Sequence, residues 1–263
     1  MNQGPIGIFD SGVGGLTVVD KISRLLPNEK IIYFGDTARV PYGNKSRATV
    51  TRFSKEIVKF LLGFKVKLIV VACNTASSLS LDSLKRSFRV PILGVVKPGI
   101  AEALKVSSSG RVGVIGTEAT ISSNAYKRGI KIADRTCFVA QKACPLFVSL
   151  VENNWLNGDI AVRIARKYLG PVLEKRIDTL ILGCTHYPLL KNTIGKVAGK
   201  NVKLVDSSAA VAKYAKRLLE KNKLLSDNKH GSARFFASDD TKSFAKLAMV
   251  FLGKRIKAKK VVF

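Results

Sequence analysis

Two cysteines stand where the sequence could do chemistry. Cys73 closes the apolar run Leu68-Ile69-Val70-Val71-Ala72 and is followed by Asn74-Thr75-Ala76-Ser77. Cys184 closes Leu180-Ile181-Leu182-Gly183 and is followed by Thr185-His186-Tyr187-Pro188. A short, β-rich apolar run reads as a strand buried in a parallel sheet. The residues after each run read as a helix start, with Asn74 or Thr75 capping one helix and Pro188 in the first turn of the other. Each thiol is therefore expected where a strand hands over to a helix N-terminus. Open α/β sheets bind ligands there, and the positive helix end favours thiolate.

Four chemistries compete for the pair. A buried Cys is commonly a plain core residue, but polar Asn-Thr and Thr-His directly after the thiols speak against that for both. A disulfide does not suit the reduced compartment that so few cysteines indicate, four in 263 residues. A metal site needs more soft ligands; there is no Cys-x-x-Cys, and of the two His one, His230, lies in a polar loop. A single Cys–His nucleophile could join Cys184 to His186, which leaves Cys73 without a task. The fourth reading uses both thiols on opposite faces of one carbon. One thiolate removes a proton, the other thiol returns one from behind, and a stereocentre inverts. No cofactor is needed if the site stabilises the carbanion and strips water from the thiolate.

The elements that must position these groups alternate between strand and helix. Residues 5–10 form a strand ending in Asp10, and Ser11-Gly12-Val13-Gly14-Gly15 a glycine-rich turn before a helix over 16–26. The glycines miss the dinucleotide fingerprint, because Thr17 stands where its third Gly would be, and an anion cradle of backbone N–H groups is the expected role. A strand over 31–34 leads into Gly35-Asp36-Thr37-Ala38-Arg39-Val40-Pro41-Tyr42-Gly43, a loop with an acid, a cation and a phenol at a strand end. A helix over 46–64, the Cys73 strand with its helix, and a strand over 91–96 come next, and Lys97-Pro98-Gly99 is read as a break. The alternation implies a parallel sheet with crossover helices.

The pattern then restarts. Val112-Gly113-Val114-Ile115-Gly116-Thr117 echoes Ile6-Gly7-Ile8-Phe9-Asp10-Ser11 at an offset of 106, and Cys184 follows Cys73 by 111. An internal duplication would set two similar strand ends facing each other across a cleft. Cys144 opens a segment that ends with Glu152 in a polar turn; a helix over 162–173 precedes the Cys184 strand. A strand over 202–205, a helix over 209–219, a strand and turn over 235–240 and a helix over 241–252 complete the chain. The last part is too small to stand alone and is expected to return to the first unit. The division expected is 1–97 plus 207–263 as one α/β domain and 98–206 as the other.

Composition bounds the class. A chain with 46% hydrophobic residues can bury a sizeable core, and no run reaches the length of a membrane span. The opening Met1-Asn2-Gln3-Gly4 runs into a strand-like segment without the regions of a signal peptide, so a cytoplasmic protein is expected. The charge is the oddity: 45 Lys and Arg against 18 acids, a formal +27. Such a field attracts polyanions. The basic residues are scattered and form no aromatic-interleaved nucleic-acid motif, and the one dense run, Lys254 to Lys260, reads as a solvated tail. Weak, nonspecific, salt-sensitive nucleic-acid binding is the alternative class of function that the charge admits.

The segments Gly7 to Gly15, Gly35 to Gly43, Ala72 to Ala76, Cys144 to Val148 and Gly183 to Pro188 together resemble the glutamate racemases, in order and through nearly the whole chain. The resemblance implies a cofactor-independent, metal-free racemase that interconverts L- and D-glutamate and supplies D-glutamate for peptidoglycan. It implies two similar, pseudo-symmetric α/β domains with mainly parallel sheets and the site in the cleft between them. Carried over, Cys73 is the base acting on D-glutamate and Cys184 the base acting on L-glutamate. Asp10 and His186 assist the thiols, with Asp36 and Glu152 as further polar partners. Ser11, Tyr42, Gly43, Asn74, Thr75, Thr117, Thr120, Thr185 and His186 are the implied substrate contacts, and Asp10 could also pair with the substrate ammonium. A related acid such as aspartate is the alternative substrate. Family members are often homodimers. Lys97, at the crossing between the domains, departs from the family pattern.

Overall fold

The computed structural model describes residues 4–262. Met1, Asn2 and Gln3 of the opening segment lie outside the described residues, as does Phe263.

The first half of the chain alternates β1 (Ile6–Asp10), α1 (Leu16–Leu25), β2 (Lys30–Gly35), α2 (Arg47–Leu62), β3 (Leu68–Val71), α3 (Asn74–Ser87) and β4 (Ile92–Gly94). Helix α4 (Val96–Val106) crosses to a second series. It comprises β5 (Arg111–Gly116), α5 (Glu118–Ser122), α6 (Ala125–Ala133), β6 (Phe138–Ala143), α7 (Leu146–Glu152), α8 (Asp159–Leu173), β7 (Thr179–Gly183), α9 (Lys191–Ala198) and β8 (Lys203–Asp206). Helix α10 (Ser207–Lys221) brings the chain back to β9 (Ser232–Ala237), α11 (Thr241–Leu252) and β10 (Ala258–Lys260).

Two sheets result, in the orders β10-β9-β2-β1-β3-β4 and β6-β5-β7-β8, with every strand pair parallel. Residues in β1, β3 and β7 are buried without exception. That is what helices on both faces of a sheet require, and it is why these strands are unbroken apolar runs rather than alternating ones. Four strands of each sheet share one order, β2-β1-β3-β4 and β6-β5-β7-β8. The sequence echoes land on equivalent members: β1 with β5, and β3 with β7. The last part of the chain returns to the first sheet, where β9 pairs with β2 from Lys30 opposite Ser232 to Gly35 opposite Ala237. One apolar cluster runs from Ile6, Ile8 and Val70 through Val95 and Val211 to Leu180, Leu182 and Phe147, so the two halves pack as one body.

Three local expectations are corrected. Neither Asn74 nor Thr75 caps α3. Cys73 does so itself, its Sγ accepting the Ala76 N–H at 3.4 Å. Pro188 opens no α-helix; Tyr187–Leu190 form a 3₁₀ turn, and α9 begins after it. Lys97-Pro98-Gly99 does not break the chain but lies in the first turn of α4. Proline is tolerated there because its missing N–H would have had no helical partner. Lys97 is exposed to solvent. Among the described residues no helix is long and apolar enough to cross a membrane.

Candidate active site

The C-terminal ends of β1, β3, β5 and β7 converge on a cavity of about 470 Å³. From the first half its wall takes Ser11, Val40, Pro41, Tyr42, Gly43, Asn44, Cys73, Asn74 and Thr75. From the second it takes Thr117, Glu118, Pro145, Val148, Ser149, Glu152, Cys184, Thr185 and His186. The two thiols, each just beyond one of two equivalent strands, thus face one space. Among the described residues no Lys or Arg lines it, in a chain with 45 of them.

Glycine at two positions lets the halves meet this closely. A Cβ on Gly14 would fall 2.3 Å from Thr185 Oγ1, and one on Gly43 would fall 2.8 Å from Thr117 Cβ. The anion cradle expected of the glycine turn after β1 is filled by the chain itself. Its Gly12 N–H donates to Asp10 Oδ1 at 3.0 Å, so the carboxylate it holds is the protein's own.

On the first side, Cys73 is 5% exposed and lies 3.7 Å from Ser11 Oγ. Burial pushes its thiol up to about 12; the nearby Asp10 carboxylate adds to the rise, and the Ala76 N–H and Ser11 oppose it. On the second side, Cys184 Sγ is 3.9 Å from His186 Nδ1, and His186 Nε2 is 3.1 Å from Glu152 Oε1. Burial alone would lower the His186 pKa. Hydrogen bonds to Cys184 and Glu152, and the charge each can carry, outweigh burial and hold it up at about 10. These partners favour the protonated imidazole. Phe251 of α11 meets its ring edge to face, with centroids 5.5 Å apart.

Hydrogen bonds also tie the halves across the cavity. Thr75 Oγ1 lies 2.9 Å from Thr117 Oγ1 and 3.2 Å from Thr120 Oγ1. Thr185 donates to Asp10 Oδ2 at 3.2 Å, and Tyr126 donates to Asn74 Oδ1 at 2.6 Å. The last contact engages the Asn74 amide oxygen and leaves its nitrogen out. The nitrogen is buried and finds no partner among the described residues, which leaves a donor waiting for an acceptor.

Not every residue singled out from sequence reaches the wall. Asp10 is wholly buried behind Ser11 and Thr185; burial raises its pKa against the His186 charge, the Gly12 and Gly15 N–H groups and Thr185. Asp36 is also fully buried and outside the lining, held by Arg39, Tyr42 and Ser238. The Tyr42 hydroxyl is committed to Asp36, so its ring and backbone are what it offers the cavity. Thr120 sits behind Thr117. Sequence reasoning missed Val40, Pro41, Asn44, Glu118, Pro145, Val148 and Ser149 in the wall. Each is a close chain neighbour of a residue it did single out, and that adjacency was the available signal. Phe251 carried none, lying 65 positions from His186. Among the described residues no group of three His, Cys, Asp or Glu is placed to hold a metal ion.

A pseudo-symmetric α/β pair with two strand-end thiols facing one cavity defines a class, and comparison with known proteins agrees. Residues 6–215 match the family described as Asp/Glu/Hydantoin racemase, and the chain belongs to that family. It is 50% identical over 252 residues to the glutamate racemase of Geobacter metallireducens, covering 95% of this chain and 93% of that one. The crystal structure of glutamate racemase isoform RacE1 from Bacillus anthracis superposes with a TM-score of 0.97 at 40% identity, covering 99% and 98% of the two chains. That of glutamate racemase from Francisella tularensis in complex with D-glutamate gives 0.93 at 41%, with the same coverage.

Proposed function

We propose that the chain is an amino-acid racemase that interconverts L- and D-glutamate by passing a proton across Cα between two thiols, supplying D-glutamate for peptidoglycan. The observation that carries the mechanism is the placement of Cys73 and Cys184 beyond equivalent strands on one cavity. In the L-to-D direction Cys184 takes the α-proton and Cys73 delivers one to the opposite face; the reverse direction exchanges the roles. A Cys73 thiol held up near 12 starts as the proton donor that the L-to-D direction needs. His186, charged and anchored by Glu152, serves Cys184. Neutral donors hold the two substrate carboxylates: the unpartnered Asn74 amide and the hydroxyls of Ser11, Thr75 and Thr117, with Gly43 and Thr185 offering backbone. Asp10, one layer behind, stabilises the positive charge of the substrate ammonium and of His186.

We read the chain as two domains, 1–97 plus 207–263 and 98–206, a division that the two separate sheets support. We place the enzyme in the cytoplasm and read pairing of two copies from the family resemblance. The +27 charge admits only weak, salt-sensitive nucleic-acid binding.

Proton NMR in D₂O tests the reading, with L-glutamate, D-glutamate and L-aspartate incubated separately with the enzyme. Loss of the α-proton signal with appearance of the other enantiomer is expected for glutamate alone. Exchange of aspartate at a matching rate would move the substrate class, and no exchange of either would remove the two-thiol scheme.

A further inference from the structure

We propose that Ser238, at the end of β9 and remote in sequence from every cavity residue, is a positioning residue for the cavity wall at Tyr42 and Gly43, acting through Asp36. The inference rests on the reading of the cavity as the glutamate site. Ser238 is buried, and its hydroxyl has two partners, both in the loop after β2. It accepts the Ala38 N–H at 2.9 Å and donates to Asp36 Oδ1 at 2.8 Å. The other oxygen of Asp36 accepts from Arg39 Nε at 2.7 Å and from the Tyr42 hydroxyl. Both Asp36 oxygens and both hydroxyls are thus satisfied, and of these four side chains only Tyr42 reaches the cavity.

Tyr42 is 1% exposed, and burial together with Asp36 keeps its phenol protonated and donating. Its ring therefore cannot swing without abandoning Asp36. Gly43 follows directly and is pressed against Thr117 of the second half. The position of this wall segment is thus set from behind by Asp36, and the direction of the Asp36 carboxylate is set by Ser238. Neighbouring contacts reinforce the same tie. The Ser238 N–H donates to the Gly35 carbonyl at 3.1 Å, and the Asp239 N–H to Thr37 Oγ1 at 2.8 Å. In this arrangement Asp36 is the link between Ser238 and the wall and carries no proton to substrate. A displacement of the wall by a fraction of an ångström acts on substrate held there, in the ground state and the transition state alike.

Steady-state kinetics of both enantiomers test the proposal in wild type, Ser238→Ala, Ser238→Thr, Tyr42→Phe and the Ser238→Ala/Tyr42→Phe double variant, with thermal melts alongside. Wild-type turnover of glutamate checks the underlying substrate reading first and separately. Ser238→Ala is expected to raise KM about tenfold with kcat within about twofold, and Ser238→Thr, which keeps the hydroxyl, to recover most of that loss. On the Tyr42→Phe background, where the path is already cut, Ser238→Ala should add less than about twofold. An unchanged KM in Ser238→Ala would overturn the proposal, whatever the melting temperature does. So would a full tenfold effect that persists in the double variant. If the alanine variant does not fold, Ser238→Cys, of similar size but a far weaker hydrogen-bond partner, takes its place with the same criteria.

Discussion

The surroundings of Cys73 and those of Cys184 start from the same architecture and end in different electrostatics. Both thiols follow a strand buried on both faces and flanked by equivalent neighbours in its sheet. Cys73 caps a 14-residue helix, so the Ala76 N–H attends it, and the charge that helps raise its pKa is the Asp10 carboxylate. Cys184 is followed by one 3₁₀ turn and is attended by a side-chain cation, His186, that Glu152 holds in place. Duplication of a fold thus fixes where two groups stand. It does not fix what surrounds them, and a reaction that needs one donor and one acceptor at a time uses that freedom. The first side's support is a backbone N–H together with the Ser11 hydroxyl; the second side's is the His186–Glu152 pair of side chains.

The largest effect would come from removing either thiol. Cys73→Ser and Cys184→Ser should each lower racemisation by about 10³-fold or more while circular dichroism stays that of the wild type. A wild-type rate in either would mean that the two sides are not partners in one reaction. Next, His186→Asn should reduce kcat/KM by roughly 10–100-fold and, because the equilibrium constant between enantiomers is one, equally in both directions. The two sides separate in the isotope effect. With the Cys184 step slowed, the effect of α-deuteration on kcat/KM should grow for L-glutamate and shrink for D-glutamate. An identical change for both substrates would assign His186 to neither thiol.

A smaller effect is expected where the sides are tied together. Tyr126→Phe leaves Asn74 Oδ1 without its 2.6 Å donor inside a buried interface. It should lower stability by about 1–2 kcal/mol, read as a melting point a few degrees lower. No change would mean that the amide simply turns over, and then KM should rise instead. A further effect lies in the pH dependence of stability. His186 binds its proton more tightly folded, at about 10, than unfolded, at about 6.5. The stability this brings is complete below pH 6.5 and is lost as pH climbs toward 10. Cys73 is likewise raised, from 9 to about 12, so its contribution begins to fall only above pH 9. Urea titrations between pH 6.5 and 9 should show a decline in wild type that His186→Asn flattens and Cys73→Ser does not.

The parts of this design legible in sequence were those written in neighbouring residues. Strands β1, β3 and β7 announce themselves as continuous apolar runs because both faces are covered, and the polar residues after Cys73 and Cys184 mark the thiols as more than core. The features that were not legible depend on partners far along the chain. A cysteine is not among the usual capping residues, so Asn74 and Thr75 looked the better caps until Sγ was seen to meet the Ala76 N–H. Strand β6 carries Gln141 and Lys142 and has no fully buried residue, so as the edge of its sheet it lacks an apolar signature. The glycine turn gave no hint that the carboxylate it holds is Asp10. Ser238 and Phe251 approach the site only because β9 lies down on β2.

That late strand has a consequence for how the molecule is made. During synthesis the outer edge of β2, with Ile31, Ile32, Tyr33 and Phe34, has no partner until residues 232–237 have been translated. At roughly 5–20 residues per second the wait is on the order of 10–40 s. In that interval every strand of the second sheet emerges, so the later half of the nascent chain can finish its sheet before the earlier half does. An apolar strand edge held open this long is a template for pairing with a neighbouring chain. The polypeptide is most exposed to misassembly on the ribosome, between the appearance of its first sheet and the arrival of the strand that closes it.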